Sequence, residues 1–313
     1  MQKIKFFQSQ QFGLGLLLLV MVIWGTTFPL MKDAITTISP SALAAGRFAI
    51  AAVVLLPFMQ KIYPQLIRDG IILGIIFFLT LFTQLKALET IPANRAAFIC
   101  AFNVVLVPLL SPWFHNWLGN NKNIPQESSY QESNHRIQPQ KWTAPLIALV
   151  GLGIMCGGVA TWSIGDLWML LCALTFALYL LYIELVSRRH TVMALTGMQL
   201  LVVAVISLGW AVPTLGSQVG AIASHWWLLV YLGIVVSILS TCIQTIAQRL
   251  ISAQDTALMC TLEPVFAAIF AFFLLGEQMS LHAWLGAGVV LIAMCQSQDL
   301  LPILVNRAFK SNY

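Results

Sequence analysis

The sequence predicts an all-α integral membrane protein with ten transmembrane helices, arranged as two inverted five-helix repeats. The first observation is composition, since 59% of the 313 residues are hydrophobic and only 9% are charged, whereas soluble domains carry about 25% charged residues. The second is that the apolar residues form ten runs, each close to the roughly 20 residues that cross a bilayer. The third is that the last five runs resemble the first five, which indicates an internal repeat.

The ten predicted helices follow one another with short connections, and their ends are defined to within a few residues. Lys3 and Lys5 precede the first run, as in a secretory signal, but no small-residue cleavage site follows, so we interpret this run as the first helix. The predicted spans are Phe12–Met31, Ala42–Met59, Gly70–Leu88, Ala93–Phe114, Trp142–Gly158, Asp166–Val186, Met193–Pro213, Trp226–Gln248, Thr256–Leu275 and Ala283–Ser297.

The positive charges indicate the orientation of these helices. With a cytoplasmic N-terminus, twelve of the sixteen Lys and Arg residues fall on the cytoplasmic side and only Lys32 and Arg95 fall outside, while Arg47 and Lys86 lie within spans. Because Lys and Arg concentrate in cytoplasmic loops, we predict that both termini are cytoplasmic. The net charge of +5 is distributed between apolar runs and does not indicate a nucleic-acid-binding face.

The repeat is clearest where a shift of 160 positions aligns AFICAFNVV at Ala97–Val105 with ALMCTLEPV at Ala257–Val265. An odd number of helices in each repeat forces the second repeat to be inverted in the membrane. Inverted repeats are typical of alternating-access transporters, whose binding sites lie near the midplane. We therefore divide the chain into a first repeat at 1–160, a second repeat at 161–299 and a cytoplasmic tail at 300–313.

The first repeat carries an insertion before its fifth helix. The shift falls to 142 for Trp142 against Trp284, so the first half has about 18 extra residues (160 minus 142) within 119–141. This stretch is rich in Asn, Gln, Ser and charge, which predicts a flexible cytoplasmic loop.

Glu263 is the first candidate for function, because it lies beside Pro264 inside the apolar run Ala257–Glu277. A carboxylate there is costly and usually faces a protein interior or a wet cavity. Its counterpart in the first repeat is Asn103, so only one of the two related positions is ionisable. This asymmetry suits proton coupling or cation recognition, although a bond from Glu263 to groups freed by the Pro264 kink would explain it equally.

Polar and aromatic residues at helical spacing provide the candidate binding positions. The eighth span has a polar stripe, and its Gln244 aligns with Gln84, which lies on one face with Thr80. Either cavity lining or hydrogen bonding between helices would explain such a stripe. The candidate substrate-binding residues are Trp24, Arg47, Gln84, Asn103, Tyr179 and Gln244, and the stripe consists of Ser237, Ser240, Thr241, Gln244 and Gln248.

Arg47 has two interpretations. Its guanidinium would bind a substrate carboxylate well, or its long side chain could extend to the outer surface. Lys86 and Glu89, three residues apart, predict a local ion pair.

Other classes of function lack a signature. The cysteines show no CxxC spacing and the histidines no HxxxH pair, and no nucleotide-binding loop of the form GxxxxGK[ST] occurs. We therefore expect no metal, no cofactor and no direct use of ATP. A lipid-modifying membrane enzyme is a distant alternative, because the acidic residues are dispersed and form no recognisable catalytic pair.

Three stretches resemble the EamA-type transporters of the drug/metabolite transporter superfamily. They are WGTTFPLMK at Trp24–Lys32, ALAAGRFAIAA at Ala42–Ala52, and LEPVFAAIFAFFLLGE with the following WLGAGVVLIAM at Leu262–Met294. The chain departs from the family pattern at the first-half counterpart of Leu274–Gln278, where PWFHNW stands in place of a sequence like LGER.

This resemblance implies a bacterial inner-membrane carrier that is not an enzyme. Helices 1 to 4 and 6 to 9 would line a central cavity, with helices 5 and 10 at the periphery. Similar proteins export amino acids and related metabolites, which we favour here, or take up metabolites and cofactors. The expected partners are a small-molecule substrate, the lipid bilayer and protons or a counter-substrate, and the GxxxG pairs at Gly70–Gly74 and Gly153–Gly157 are compatible with a homodimer.

Overall fold

A computed structural model describes residues 10–59, 62–119, 140–155, 163–275 and 281–297, and these residues form helices and turns without any strand. Most of the predicted polar loop 119–141, Gly157 of the second GxxxG pair, Glu277 and the predicted tail 300–313 lie outside the described residues.

The described helices occur at all ten predicted spans, and we number them α1 to α10 in chain order with letters for interrupted helices. They are α1a (Gln10–Gly25), α1b (Thr27–Ala34), α2 (Pro40–Leu55), α3 (Pro64–Leu88), α4a (Ala93–Cys100), α4b (Asn103–Gly119), α5 (Gln140–Met155), α6 (Ile164–Val186), α7 (Val192–Ser224), α8 (Trp226–Ala247), α9a (Ala253–Cys260), α9b (Glu263–Leu275) and α10 (Leu281–Ser297).

Seven of these spans, within the described residues, are long and apolar enough to cross a membrane: α1, α2, α3, α4, α6, α7 and α8. The fold class is therefore confirmed as all-helical and membrane-spanning. The central part of α8, Tyr231–Leu239, is a π-helix, in which Ser237 Oγ donates to the carbonyl of Leu232, five residues earlier, at 2.8 Å.

The predicted end of the seventh helix at Pro213 is wrong, since α7 continues through this proline to Ser224. The extra turns contact the start of α2. Thr214 Oγ1 lies 3.1 Å from Ser41 Oγ, and Gln218 Oε1 accepts a hydrogen bond from the backbone N–H of Ser39 at 2.9 Å. These tertiary contacts outweigh the missing hydrogen bond of an internal proline.

Two helices with related sequences are interrupted at the same position. Helix α4a ends at Cys100 and α4b begins at Asn103, while α9a ends at Cys260 and α9b begins at Glu263. The backbone N–H groups at both breaks bond to carbonyls three residues earlier, as in Phe102 to Ile99 and Leu262 to Met259. The predicted disturbance beside Pro264 is thus a tightened turn, in which i→i−3 bonds replace the i→i−4 bonds of the α-helix. The same turn occurs in α4, which has Val104 in place of the proline.

Helix packing separates a central bundle from a peripheral pair. One large buried cluster joins residues of α1 to α4 and α6 to α9 and also includes Ala287 and Val290 of α10. Helices α5 and α10 pack closely on each other. A Cβ atom on Gly151 of α5 would lie only 2.9 Å from the carbonyl oxygen of Gly286 of α10. Among the described residues, α5 contributes none to the large cluster, which agrees with the peripheral position that the resemblance implied, whereas α10 contributes two.

The GxxxG pair in α3 mediates packing within the chain. A Cβ atom on Gly70 would lie 2.2 Å from Met198 Cγ, and one on Gly74 would lie 2.6 Å from Val202 Cβ, both on α7. Small residues at such positions allow two backbones to approach closely. Both glycines of this pair therefore contact α7 of the same chain.

Candidate substrate site

A cavity of about 60 Å³ lies at the centre of the bundle. Its lining comes from α1, α2, α3, α4a, α6, α8 and α9b. The lining residues are Trp24, Thr27, Arg47, Phe77, Thr80, Leu81, Gln84, Cys100, Cys172, Phe176, Val236 and Glu263. Ligand pockets for small molecules usually measure roughly 300–1,000 Å³, so the cavity must widen before it admits a metabolite.

Arg47 is held inside the bundle, and its alternative extension to the surface is not observed. The residue is 4% exposed, its Nε donates to Ser237 Oγ at 2.7 Å, and its Nη1 lies 3.7 Å from Met31 Sδ. The guanidinium carbon also lies 5.0 Å from the centre of the Phe48 ring. No carboxylate lies within 4.0 Å of Arg47 among the described residues, so this buried cation lacks a counter-ion.

Glu263 contributes the opposite charge to the same cavity. It is 8% exposed and is the first residue of α9b. The alternative role, a bond to groups near the Pro264 kink, is not observed, since no hydrogen bond or ion pair of Glu263 occurs within the described part of the chain. A carboxylate and a guanidinium therefore share one cavity without pairing with each other.

Trp24 forms an aromatic wall of the cavity. Its indole Nε1 donates to Ser240 Oγ at 2.8 Å, and its ring meets Phe176 edge to face with centroids 5.7 Å apart. Tyr179 lies behind this wall, stacked against Phe176 at 6.1 Å and against Phe77 at 5.2 Å. The rings are thus fixed by one another and by a hydrogen bond.

Gln84 and Thr27 add neutral polar groups to the lining. Gln84 is half-buried, and Thr27 Oγ1 is buried with no hydrogen-bond partner among the described residues. Buried polar groups are normally hydrogen-bonded, so an unpaired hydroxyl in a cavity wall is a position where water or a ligand would bind.

Three predicted binding residues lie outside the lining. Asn103 and Gln244 are each 1% exposed and Tyr179 is 0% exposed, and the Tyr179 hydroxyl donates to Gln199 Oε1 at 3.3 Å. Within the described chain, Asn103 Oδ1 and both amide atoms of Gln244 have no partner. Their proposed roles in binding therefore remain predictions.

The polar stripe of α8 is buried throughout, with every member at most 1% exposed. Ser237 and Ser240 bind Arg47 and Trp24, and Gln248 Nε2 donates to the carbonyl of Leu180 at 3.1 Å. Three of its members thus make hydrogen bonds between helices, and two of those orient residues of the cavity.

Sequence reasoning missed Phe77, Phe176, Cys100 and Cys172 as lining residues. The repeat carried a signal for one of them, because a shift of 152 positions places Phe176 opposite Trp24. The four described cysteines, Cys100, Cys172, Cys242 and Cys260, are buried and form no disulfide. No group of three or more His, Cys, Asp or Glu residues capable of holding a metal occurs among the described residues.

The family follows from comparison with known proteins. The model of the EamA-like transporter family matches residues 11–122 and 163–296, which is most of the chain. The chain belongs to the EamA-like transporter family. This family lies within the drug/metabolite transporter superfamily, so the chain is a membrane transporter.

Two relatives of this EamA-like transporter are each described as an uncharacterized transporter. An uncharacterized transporter of Archaeoglobus fulgidus is 28% identical over 278 residues, which cover 89% of this chain and 83% of the relative. An uncharacterized transporter of Synechocystis sp. is 28% identical over 287 residues, which cover 87% and 85% of the two chains. A solved crystal structure superposes with a TM-score of 0.71 at 17% identity, over 93% of this chain and 99% of the other, and shows that the fold is shared.

Proposed function

We propose that the protein is a secondary transporter that exports amino acids or related zwitterionic metabolites across the bacterial inner membrane by alternating access. In this proposal the ten helices form two inverted repeats, both termini are cytoplasmic, and the energy comes from protons or a counter-substrate. The repeat in the sequence and the matching helix breaks at Asn103 and Glu263 support inverted repeats, which are typical of such carriers.

The observation that carries the proposal is that Arg47 and Glu263 line one cavity without pairing with each other. An α-amino acid carries a carboxylate and an ammonium group on adjacent positions. The planar guanidinium of Arg47 suits the carboxylate, with two parallel hydrogen bonds, and the carboxylate of Glu263 suits the ammonium. Each buried charge of the protein would then gain a partner of opposite charge.

The aromatic wall favours a substrate with an apolar portion. Trp24, Phe77 and Phe176 lie along the cavity together with Leu81 and Val236. Ligand sites are typically lined by such side chains, with a few polar groups that fix the orientation of the ligand. The side chain of the substrate would pack there, while Gln84 and Thr27 supply neutral hydrogen-bonding groups.

Glu263 also offers a simple coupling mechanism. Its carboxylate accepts a proton or binds the substrate ammonium, but it does not do both at once. A proton that arrives from the outside would displace the substrate ammonium into the external solution, and the proton would be released inside when the next substrate binds. One carboxylate would thus exchange protons for substrate, which is export driven by the proton gradient.

Binding by the purified protein tests the substrate class. Thermal stabilisation is measured with apolar amino acids, with the amines that lack their carboxylate and with the acids that lack their ammonium. Ligand binding raises the stability of the folded state, so only the zwitterions should stabilise the protein strongly. Equal stabilisation by amine or acid alone would contradict the assignment.

Transport in proteoliposomes tests the direction of coupling. An imposed proton gradient should drive the bound amino acid in the opposite direction to the protons. The variant Arg47→Gln should weaken substrate binding about 10- to 100-fold, because the charge-assisted hydrogen bonds to the substrate carboxylate are lost. Lys86→Gln is the matched control, because Lys86 pairs with Glu89 at 2.9 Å on the surface of α3 and not in the cavity. Movement of substrate and protons in the same direction would contradict export by exchange.

A further inference from the structure

Two aspartates are buried at opposite ends of the interface between α3 and α6. Asp69 is 2% exposed and Asp166 is 0% exposed. Asp69 lies near the start of α3 and Asp166 near the start of α6. The two helices run antiparallel, because the start of α6 meets the end of α3: a Cβ atom on Gly165 would lie 3.1 Å from the carbonyl oxygen of Ala87. Buried charges are costly unless they are paired, so each aspartate requires a partner.

Asp69 joins the two halves of the chain. Its Oδ2 lies 2.8 Å from His190 Nε2 and 3.7 Å from Arg189 Nη1, and its Oδ1 accepts a hydrogen bond from the Tyr182 hydroxyl at 3.1 Å. The other ring nitrogen of His190 lies 2.5 Å from the hydroxyl of Tyr63. Asp69 and Tyr63 come from the first half, whereas the other three residues come from the second half.

Asp166 joins the halves at the other end of the interface. Arg95 Nη2, in α4a of the first half, donates to Asp166 Oδ2 at 2.8 Å. The same oxygen accepts from the backbone N–H of Ser163 at 2.7 Å, which caps the start of α6. The other carboxylate oxygen, Oδ1, is buried and has no partner among the described residues.

The cavity borders the interface between these two clusters. Phe77 and Thr80 of α3 line the cavity. Phe77 stacks on Tyr179 of α6, and Thr80 Oγ1 donates to Thr175 Oγ1 at 3.0 Å. A carrier that works by alternating access opens its central site to one face while the other face stays closed. The contacts between the halves must therefore break at one end of this interface at a time.

We propose that Asp69 and Asp166 are gating residues of this transporter, and that each holds one end of the α3–α6 interface closed by ionic contacts across the two halves. Asp69 closes the face that carries most of the basic residues, and Asp166 closes the opposite face. The inference rests on the proposed alternating-access function. It goes beyond that function by naming the contacts that open and by assigning each to one face.

The chemistry of these contacts suits a gate better than apolar packing would. When an ion pair separates in water, solvent replaces each partner, and exposed ion pairs contribute little to stability. When apolar surfaces separate, water must cover them at a cost that grows with their area. An ionic contact at the end of an interface therefore holds firmly while buried and opens at low cost once water enters.

Native cysteines provide the reporter for a test. Cys172 is 1% exposed and lines the cavity, so a membrane-impermeant methanethiosulfonate reagent reaches it only when a gate opens. The experiment uses the full chain with the other five cysteines replaced by alanine, in membrane vesicles of both orientations. The rate of Cys172 labelling is then compared for the unaltered gates, for Asp69→Asn and for Asp166→Asn.

The two variants should act from opposite sides. Asp69→Asn should speed labelling about tenfold from the cytoplasmic side alone, and Asp166→Asn should do so from the external side alone, since loss of one charge-assisted hydrogen bond changes an equilibrium by about that factor. Glu89→Gln is the matched control, because its partner Lys86 lies only three residues earlier in the same half, so the change should leave both rates unaltered.

Other outcomes decide the proposal as well. Unchanged labelling in both aspartate variants, or an equal increase from both sides, would overturn the gates. If Asp69→Asn does not fold, Tyr182→Phe removes a single hydroxyl from the same cluster and should give a smaller increase from the same side, while no increase would overturn the gate at Asp69. An exchange of the two sides would support the gates and refute the proposed orientation. The labelling needs no substrate, so failure of amino-acid transport leaves its result intact.

Discussion

Asn103 and Glu263 each begin the second segment of an interrupted helix, and they lie 160 positions apart (263 minus 103) in related sequences. The two breaks are equivalent, but only Glu263 reaches the cavity among the lining residues that the structure describes. Because the related position in the first half is an amide, the cavity receives a carboxylate from the second half alone.

Glu263→Gln should abolish the pH dependence of substrate binding. In the unaltered protein, binding should weaken as the pH falls, because protons compete with the substrate ammonium for the carboxylate. Glutamine holds neither a proton nor a charge, so the variant should bind weakly at every pH. Binding curves between pH 5 and pH 9 measure this effect, and a variant that keeps the original pH profile would refute a coupling role for Glu263.

Arg47→Lys should lower the affinity for the substrate although it keeps the charge. Lysine cannot form the two parallel hydrogen bonds of a guanidinium, and the contact from Arg47 Nε to Ser237 Oγ would be lost. We expect about a tenfold weaker affinity, with amino acids affected and their decarboxylated amines unaffected. Equal losses for both compounds would show that Arg47 acts only through structure.

The hydrogen bond from Trp24 to Ser240 should contribute to stability in a measurable way. The variants Trp24→Phe and Ser240→Ala each remove this bond, which is 2.8 Å long and buried. A double-mutant cycle on thermal unfolding should give a coupling free energy of about 0.6–1 kcal/mol, as for other hydrogen bonds between membrane helices. Additive effects of the two changes would show that the bond is absent in the membrane.

Gly74→Ala should destabilise the protein, whereas Gly15→Ala should not. A Cβ atom at position 74 would lie 2.6 Å from Val202 Cβ, but one at position 15 would meet nothing within 4 Å. Overpacking typically costs about 1–3 kcal/mol, and alanine favours the helix over glycine by about 0.5–1 kcal/mol. Melting temperatures in detergent should therefore move in opposite directions, and equal values would contradict the close packing of α3 on α7.

The parts of the fold that sequence reasoning predicted depend on local chemistry. Apolar runs long enough for a bilayer mark the spans, the missing N–H of Pro264 marks the disturbed helix, and the spacing of Lys86 and Glu89 marks their ion pair, which is confirmed at 2.9 Å. Trp24, Arg47, Gln84 and Glu263 were all selected as unusual residues inside apolar runs, and all four line the cavity.

Features that depend on distant residues escaped this reasoning. The sequence gives no sign that α7 continues past Pro213, because the contacts of Gln218 and Thr214 with the start of α2 decide its length. The stripe on α8 indicated a buried face, but the partners of Ser237 and Ser240 come from α2 and α1. Asp166 begins one predicted span and Asp69 directly precedes another, and an acidic residue is ordinary at a helix end.

By itself, the sequence determined that this chain is a helical membrane protein, and that it places a few polar residues where a bilayer penalises them. Those properties follow from hydrophobicity and backbone chemistry, which act within one segment. Only the tertiary structure decided that Arg47 turns inward and shares a cavity with Glu263. It also decided that Asp69 and Asp166 each contact residues from the other half of the chain. Such pairings depend on how separate helices pack, and packing brings together residues that no local pattern relates.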